Sequence, residues 1–315
     1  MITVSFSSDA TVRVCERRWF LASVVAHPTG NKDLIRRDAR LLRQLVHPQA
    51  WAGRIIHSTL EEVVIPTTCE SGWLPNSDHI IAHALDLMRR QEDFSRKKLY
   101  RNISKSKAGK DFCALYADEY DGGLTKVQRE QVEFRVTTAL GNVPRVETVW
   151  SELKTTQRSF IEHSFRIRLH GAVIEAKPDL IMISSGRTKI VDWKCWASLT
   201  ADPSDQLRFY AYVLMKYWSN QKLQPKDFDL FGVNLLNGSL APVTCTEEHW
   251  DEADDRILEF IERADNILQG RSWQDIALRN LGIPRSPSTC ESCKFRRICR
   301  DALPQTREEE LCLAL

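Results

Sequence analysis

Two rhythms of apolar and polar positions divide this chain. Up to about residue 145, apolar residues return every three or four positions, as on one face of a helix. Residues 31–47 carry Leu34, Ile35, Leu41, Leu42 and Leu45 at that spacing, with Asn31 or Asp33 as a cap and Arg36, Arg37, Arg40 and Arg43 on the opposite face. A second helix is expected over 51–64, where Ile56, Leu60 and Val63 or Val64 form the stripe and His57 and Glu61 share a face. A polar loop over 66–78, a long helix over 79–104, an acidic loop over 118–121 and a helix over 124–139 follow, the last broken by Gly141-Asn142-Val143-Pro144. From about 146 the rhythm shortens to alternation, and VETVWSELKT, SFIEHSFRIRLHG, GAVIEAKPDLIMIS and TKIVDWKCW all read as strands. A helix over 204–218 capped by Ser204 or Asp205, a strand and turn in DLFGVNLLNG, and an amphipathic helix over 247–268 complete an α/β pattern before an irregular tail.

Within the alternating part, Lys177 to Lys194 holds the most chemistry. Two short apolar runs, one beginning at Asp179 and one ending on Asp192-Trp193-Lys194, flank a turn at Ser184-Ser185-Gly186-Arg187. Residues two apart on a strand share a face, so Asp192 and Lys194 project together while Val191 and Trp193 face the other way. If the runs pair, Asp179 comes near Asp192. Two close carboxylates repel unless a positive group joins them, and a hard divalent cation meets that need. The alternative is a plain salt bridge at a strand end.

Composition narrows the class. At 315 residues, 43% hydrophobic and 27% charged, the chain has the make-up of a globular protein. No apolar run is long enough to cross a bilayer and the first residues lack an apolar signal core, so the expected setting is the cytoplasm, with no membrane partner. A net charge of only +2 leaves any nucleic-acid affinity to local clusters. One lies between Arg89 and Lys110, with nine Lys/Arg residues against two acids. Its centre, Arg96, Lys97, Lys98, Tyr100 and Arg101, is a candidate DNA-binding surface, and a solvated helix face is the ordinary alternative. No phosphate loop of an ATP motor is present.

Of nine cysteines, three crowd into Cys290-x2-Cys293-x5-Cys299, a density that points to metal ligation in a reducing compartment. A fourth ligand could be Cys312, close in sequence, or Cys15 at the other end. Spacing alone does not separate an iron–sulfur cluster from a structural Zn²⁺.

Taken in order, these motifs resemble those of RecB-like members of the PD-(D/E)XK nuclease superfamily, in the subgroup that carries a 4Fe–4S cluster, such as the AddB nuclease and iron–sulfur CRISPR adaptation nucleases. Gly53-x3-His57, Pro178-Asp179, Asp192-Trp193-Lys194, Gln206-x3-Tyr210 and the cysteines match from residue 15 to residue 299. Many members have a glycine shortly before the first aspartate, where this chain has Glu175-Ala176-Lys177. The resemblance implies a restriction-endonuclease-like core, a mixed sheet flanked by helices, over 146–270. It implies an N-terminal helical region over 1–145 and a cysteine lobe over 271–315. It implies Mg²⁺ or Mn²⁺ held by His57, Asp179, Asp192 and the Trp193 carbonyl, with Lys194, Gln206 and Tyr210 in catalysis and Glu162 as an outer carboxylate. It favours Cys15 over Cys312, and iron–sulfur over zinc, for the set with Cys290, Cys293 and Cys299. The expected activity is hydrolysis of single-stranded or end-containing DNA in repair, CRISPR adaptation or phage defence, with a helicase, CRISPR or defence-system protein as partner. The competing reading is a DNA-binding assembly subunit with an idle nuclease fold.

Overall fold

The structure is a computed structural model, and it describes residues 2–27, 33–195 and 202–301. The candidate cap Asn31 and candidate ligand Cys312 lie outside the described residues. The chain forms two compact units. One joins Met1–Leu45, His170–Ala172 and Arg256–Leu315; the other holds Val46–Leu169 and Val173–Asp255.

The first unit begins with a short strand, β1 (Thr3–Val4), and a helix Phe6–Val14 that Ser5 and Ser8 close with a capping box. Cys15 then caps a short helix, Glu16–Phe20, by accepting the Arg18 N–H at 3.3 Å. Helix Leu34–Gln44 is capped by Asp33. Buried Asp9 is answered by Arg13 at 2.9 Å and Arg256 at 2.5 Å. The Trp19 ring meets Phe260 edge-on at 5.8 Å. Segments far apart in the chain meet here: the Glu16 N–H donates to the Gly282 carbonyl at 3.1 Å, and the Gly282 N–H donates back to Glu16 Oε2 at 2.8 Å.

The second unit opens with helix Pro48–Thr59, which starts earlier than the apolar stripe suggests because Pro48 fits the first helical turn. It runs through a π-helical turn, Leu60–Val64, into helix Ile65–Ser71, so part of the expected 66–78 loop is helical until Gly72, at φ 74°, ends it. The expected 79–104 helix stops at Arg96, since Lys98 takes a left-handed φ of 52°. Where an acidic loop was expected, Tyr116–Tyr120 is a short helix, with Asp118 buried and accepting the Ser95 hydroxyl. Helix Lys126–Gly141 follows a Thr125/Gln128 capping box.

The clearest departure is VETVWSELKT, which is a helix, Glu147–Thr155, and not a strand. Its β-branched and aromatic residues favour a strand locally, but Val149, Trp150 and Leu153 also share one helical face, and burying that face decides the outcome. Strands follow: β2 (Arg158–Ile161), β3 (Phe165–Leu169), β4 (Ala172–Ala176), β5 (Leu180–Ser184), β6 (Arg187–Lys194), β7 (Phe228–Asn234) and β8 (Ser239–Val243). β3 and β4 are neighbours, while the main sheet has the order β2-β5-β6-β7-β8. It is mixed: only β6 and β7 run parallel. Parallel neighbours need a crossover, and helix Ser204–Tyr217 supplies it, started by Asp202 Oδ1 accepting the Ser204 N–H at 2.9 Å and not by the side chain of Ser204 or Asp205. This is the α/β arrangement of a restriction-endonuclease-like core.

An apolar core binds the pieces of the second unit, with Trp51, Ile55, Ile56, Leu87, Val136 and Leu140 from the helices and Leu180, Val191, Trp193 and Val233 from the sheet. Trp193 stacks on Trp150 at 5.5 Å, which seats β6 against helix Glu147–Thr155. No described helix is long and apolar enough to cross a membrane.

Candidate active site

The hairpin between β5 and β6 sets the site. Ser185 and Gly186 have φ of 49° and 78°, the left-handed pair that a two-residue hairpin turn requires. The resulting register places Leu180 opposite Val191. Asp179, just before β5, therefore lies beside the end of β6, and its Oδ2 accepts the Trp193 N–H at 2.7 Å. Asp192 pairs in register with Gly232 of β7, where a Cβ would come within 2.5 Å of the Pro203 ring, so glycine is needed for the crossover to pass.

Helix Pro48–Thr59 brings in His57, whose Nδ1 lies 3.3 Å from Asp179 Oδ1 and 3.3 Å from Glu162 Oε1. A π-helical turn directly follows this helix, a feature often found at functional sites. Glu162 sits just beyond β2 at a φ of 48°, with its N–H on the Asp179 carbonyl at 3.0 Å. A bulky residue in that conformation carries strain, and strain of this kind gathers at working sites. Among the described residues, His57, Glu162 and Asp179 are the one group of three such side chains whose donor atoms all lie within 4.8 Å of one another. Sequence reasoning placed Glu162 in an outer position, whereas the fold puts it beside the histidine. The missed signal is its place at a strand end one residue before a second histidine, a pattern too common to stand out.

Asp192 lies outside that trio, with Oδ2 on Lys194 Nζ at 2.5 Å. Lys194 Nζ also donates to Gln206 Oε1 at 2.8 Å, and Gln206 Nε2 donates to the Tyr210 hydroxyl at 2.6 Å. Gln206 and Tyr210 are one turn apart on the crossover helix, so a single face orients the lysine. Trp193 turns its ring into the core.

The charges are mutually dependent. Burial and the neighbouring Asp179 push the Asp192 carboxyl up to about 7, against the pull of Lys194. Burial disfavours charge on His57, but Asp179 and Glu162 outweigh it and hold the imidazole well above its ordinary value. Burial would raise Glu162, yet His57 and Lys177, whose Nζ is 2.6 Å away, bring it down to about 2. Burial and Asp192 raise the Tyr210 phenol, so it stays protonated. Acidic groups that hold protons or borrow cations in this way form a site suited to a divalent ion.

The cysteines of the first unit form another group. Cys15 donates its thiol to the Gly282 carbonyl at 3.9 Å. Cys290 lies on helix Pro287–Glu291, Cys293 donates its N–H to the Cys290 carbonyl at 3.1 Å, and Cys299 follows buried Phe295. Cys15 lies in the electrostatic reach of Cys290 and Cys293, and Cys299 in that of Cys293 and Cys15. Burial raises Cys15 and Cys299, while buried Arg17, hydrogen-bonded to Cys299, works against that rise.

The expected DNA-binding stretch is largely answered by its own acids. Arg96 and Lys97 pair with Asp93 at 2.9 and 2.6 Å, and Arg101 pairs with Glu119 at 2.7 Å. Tyr100 is buried and donates to Glu119 at 2.9 Å, which leaves its ring no free face for a base. Lys98 remains exposed.

The trio of His57, Glu162 and Asp179 could hold a metal ion. The PD-(D/E)XK nuclease superfamily model matches residues 3–300, and the chain belongs to that superfamily. Curated proteins yield no match. Among solved structures, the chain is similar to the crystal structure of SSO0001, at 17% identity and a TM-score of 0.26, over 60% of this chain and 80% of that one. So loose a likeness carries no functional argument.

Proposed function

We propose that this protein is a metal-dependent DNA nuclease acting on single-stranded or end-containing DNA, and that Cys15, Cys290, Cys293 and Cys299 hold a 4Fe–4S cluster. The observation that carries the nuclease reading is the convergence of His57, Glu162 and Asp179 beside Asp192 and Lys194. This donor set fits Mg²⁺ or Mn²⁺, with Asp192 and the Trp193 carbonyl as further ligands. When bound, such an ion lowers the pKa of attacking water and screens the phosphate oxygens. Lys194, fixed by Gln206, orients the water and offsets charge that develops on the phosphate. Tyr210 holds Gln206 so that its amide oxygen faces the lysine.

The cluster reading rests on the four thiols sharing one electrostatic neighbourhood.

The test is cleavage of end-labelled linear and circular single-stranded DNA with Mg²⁺ or Mn²⁺. The native chain should cut, and Asp192→Ala should lose at least about a thousandfold in rate while remaining folded. Undiminished cutting by that variant overturns the assignment. DNA binding by the native chain without any cutting would instead identify an idle assembly subunit.

A further inference from the structure

Three cations meet beside the carboxylate trio, and the mechanism above uses none of them. Arg54 lies one turn before His57 on helix Pro48–Thr59, so it borders the same face. It is exposed and has no ion-pair partner among the described residues. Lys177 reaches Glu162 from the far side at 2.6 Å. Lys105 is exposed, likewise without a described ion-pair partner, and feels the charges of Arg54, Lys177 and Lys110. Lys110 is answered by Glu61 and Glu62 at 2.9 and 2.8 Å. Glu61 offsets part of this charge, but Arg54 and Lys105 form no ion pair among the described residues and lie next to a third cation, an arrangement that a bound anion would relieve. Burial first, and then these neighbours, hold the Lys105 ammonium below its ordinary pKa.

The space there is open. Gly53 stands one turn before His57, and a Cβ at Gly53 would meet nothing within 4 Å. No neighbour demands a glycine, and glycine inside a helix costs stability relative to alanine. A bare helix surface beside an unpaired arginine lets a backbone or ligand approach closely.

We infer that Gly53, Arg54, Lys105 and Lys177 form a docking site for a backbone phosphate of the substrate strand, next to the one that is cut. This rests on the nuclease reading for its substrate, and it moves the strand away from the self-neutralised stretch at Arg96–Arg101. Arg54 supplies planar donors for phosphate oxygens, and the lysines act as point charges. Gly53 leaves the strand room to lie across the helix.

The experiment measures binding of a fluorescently labelled single-stranded oligonucleotide by anisotropy, in EDTA, over a series of salt concentrations, alongside steady-state cleavage. Arg54→Ala with Lys105→Ala should weaken binding by about tenfold or more and make the salt slope shallower by roughly 1 to 2 units. It should raise KM with kcat within about twofold, because no reacting atom is touched. Arg54→Lys should restore part of the affinity. Gly53→Leu should weaken binding without lowering helix content, since leucine is the better helix former. Arg96→Ala with Lys97→Ala should change binding less than twofold, to roughly that precision. Native affinity and salt slope in the Arg54/Lys105 double variant, or a larger loss from the Arg96/Lys97 pair, would overturn the docking site. A chain that binds through Arg54 and Lys105 yet never cuts would overturn the nuclease reading and leave this site standing.

Discussion

The carboxylate centre of the second unit and the thiol group of the first, the two proposed metal sites, are assembled by different means. At the carboxylate centre the scaffold does the placing. The β5–β6 register aligns Asp179 with the end of β6, its carboxylate is fixed by the Trp193 N–H, and His57 comes from a helix whose other face is core. The donor atoms of His57, Glu162 and Asp179 lie within 4.8 Å of one another. The thiols come from segments far apart in the chain: Cys15 caps helix Glu16–Phe20, Cys290 lies on the five-residue helix Pro287–Glu291, Cys293 follows it and Cys299 lies on the six-residue helix Arg296–Asp301. Such short helices have little stability of their own. Metal at the first site should therefore serve chemistry, and metal at the second should serve folding.

Removing one ligand from each site separates these roles most sharply. Cys15→Ser should bleach the visible absorption of anaerobically purified protein, lower its iron content and reduce Tm by roughly 5–10 °C. Asp192→Ala should shift Tm by no more than about 2 °C while abolishing cleavage. A colourless native protein with stoichiometric zinc would refute the iron–sulfur assignment. A Cys15→Ser variant with unchanged colour and Tm would show that Cys15 is not a ligand.

A smaller effect is expected at Glu162. Glu162→Gln should weaken Mn²⁺ binding by about tenfold, read by calorimetry or by the electron paramagnetic resonance of free Mn²⁺. Unchanged affinity would return Glu162 to an outer position, where it only steadies His57 and Lys177.

The two sites should also differ in pH dependence. The Asp192 carboxyl is raised to about 7 and His57 well above its ordinary value, so both hold protons near neutrality. A ligand must shed its proton to take a cation, so Mn²⁺ affinity should rise with pH through about 7 and fall below it, by up to about tenfold per unit for each proton released. Asp192→Asn should flatten that dependence. Over the same range, visible absorption from the thiol group should remain constant, because its ligands lie in a separate unit. Parallel loss of both signals on acidification would mean that one event governs both sites.

Local signals were strong wherever chemistry and geometry lay within a few residues. The pair Asp192 and Lys194 was readable because a strand puts alternate residues on one face, and Gln206 and Tyr210 because a helix does so every fourth residue. The Ser184–Arg187 turn was legible from its glycine and small residues. VETVWSELKT misled because its pattern satisfies two periods at once, and only the face offered by the rest of the core could choose. At the basic run Arg96–Arg101, a list of lysines and arginines does not show that Asp93 pairs with Arg96 and Lys97 and Glu119 with Arg101.

By itself, the sequence determined the types of donor, the order of the motifs and hence the class of chemistry, because those depend on side-chain identity and on spacing within single elements. Tertiary structure decided which donors meet. It set Glu162 beside His57 across 105 residues of chain and brought Asp179 to the same imidazole. It also gathered Arg54, Lys105 and Lys177 around one open face. Contacts so distant along the chain arise from sheet register and helix packing, and no local pattern encodes them.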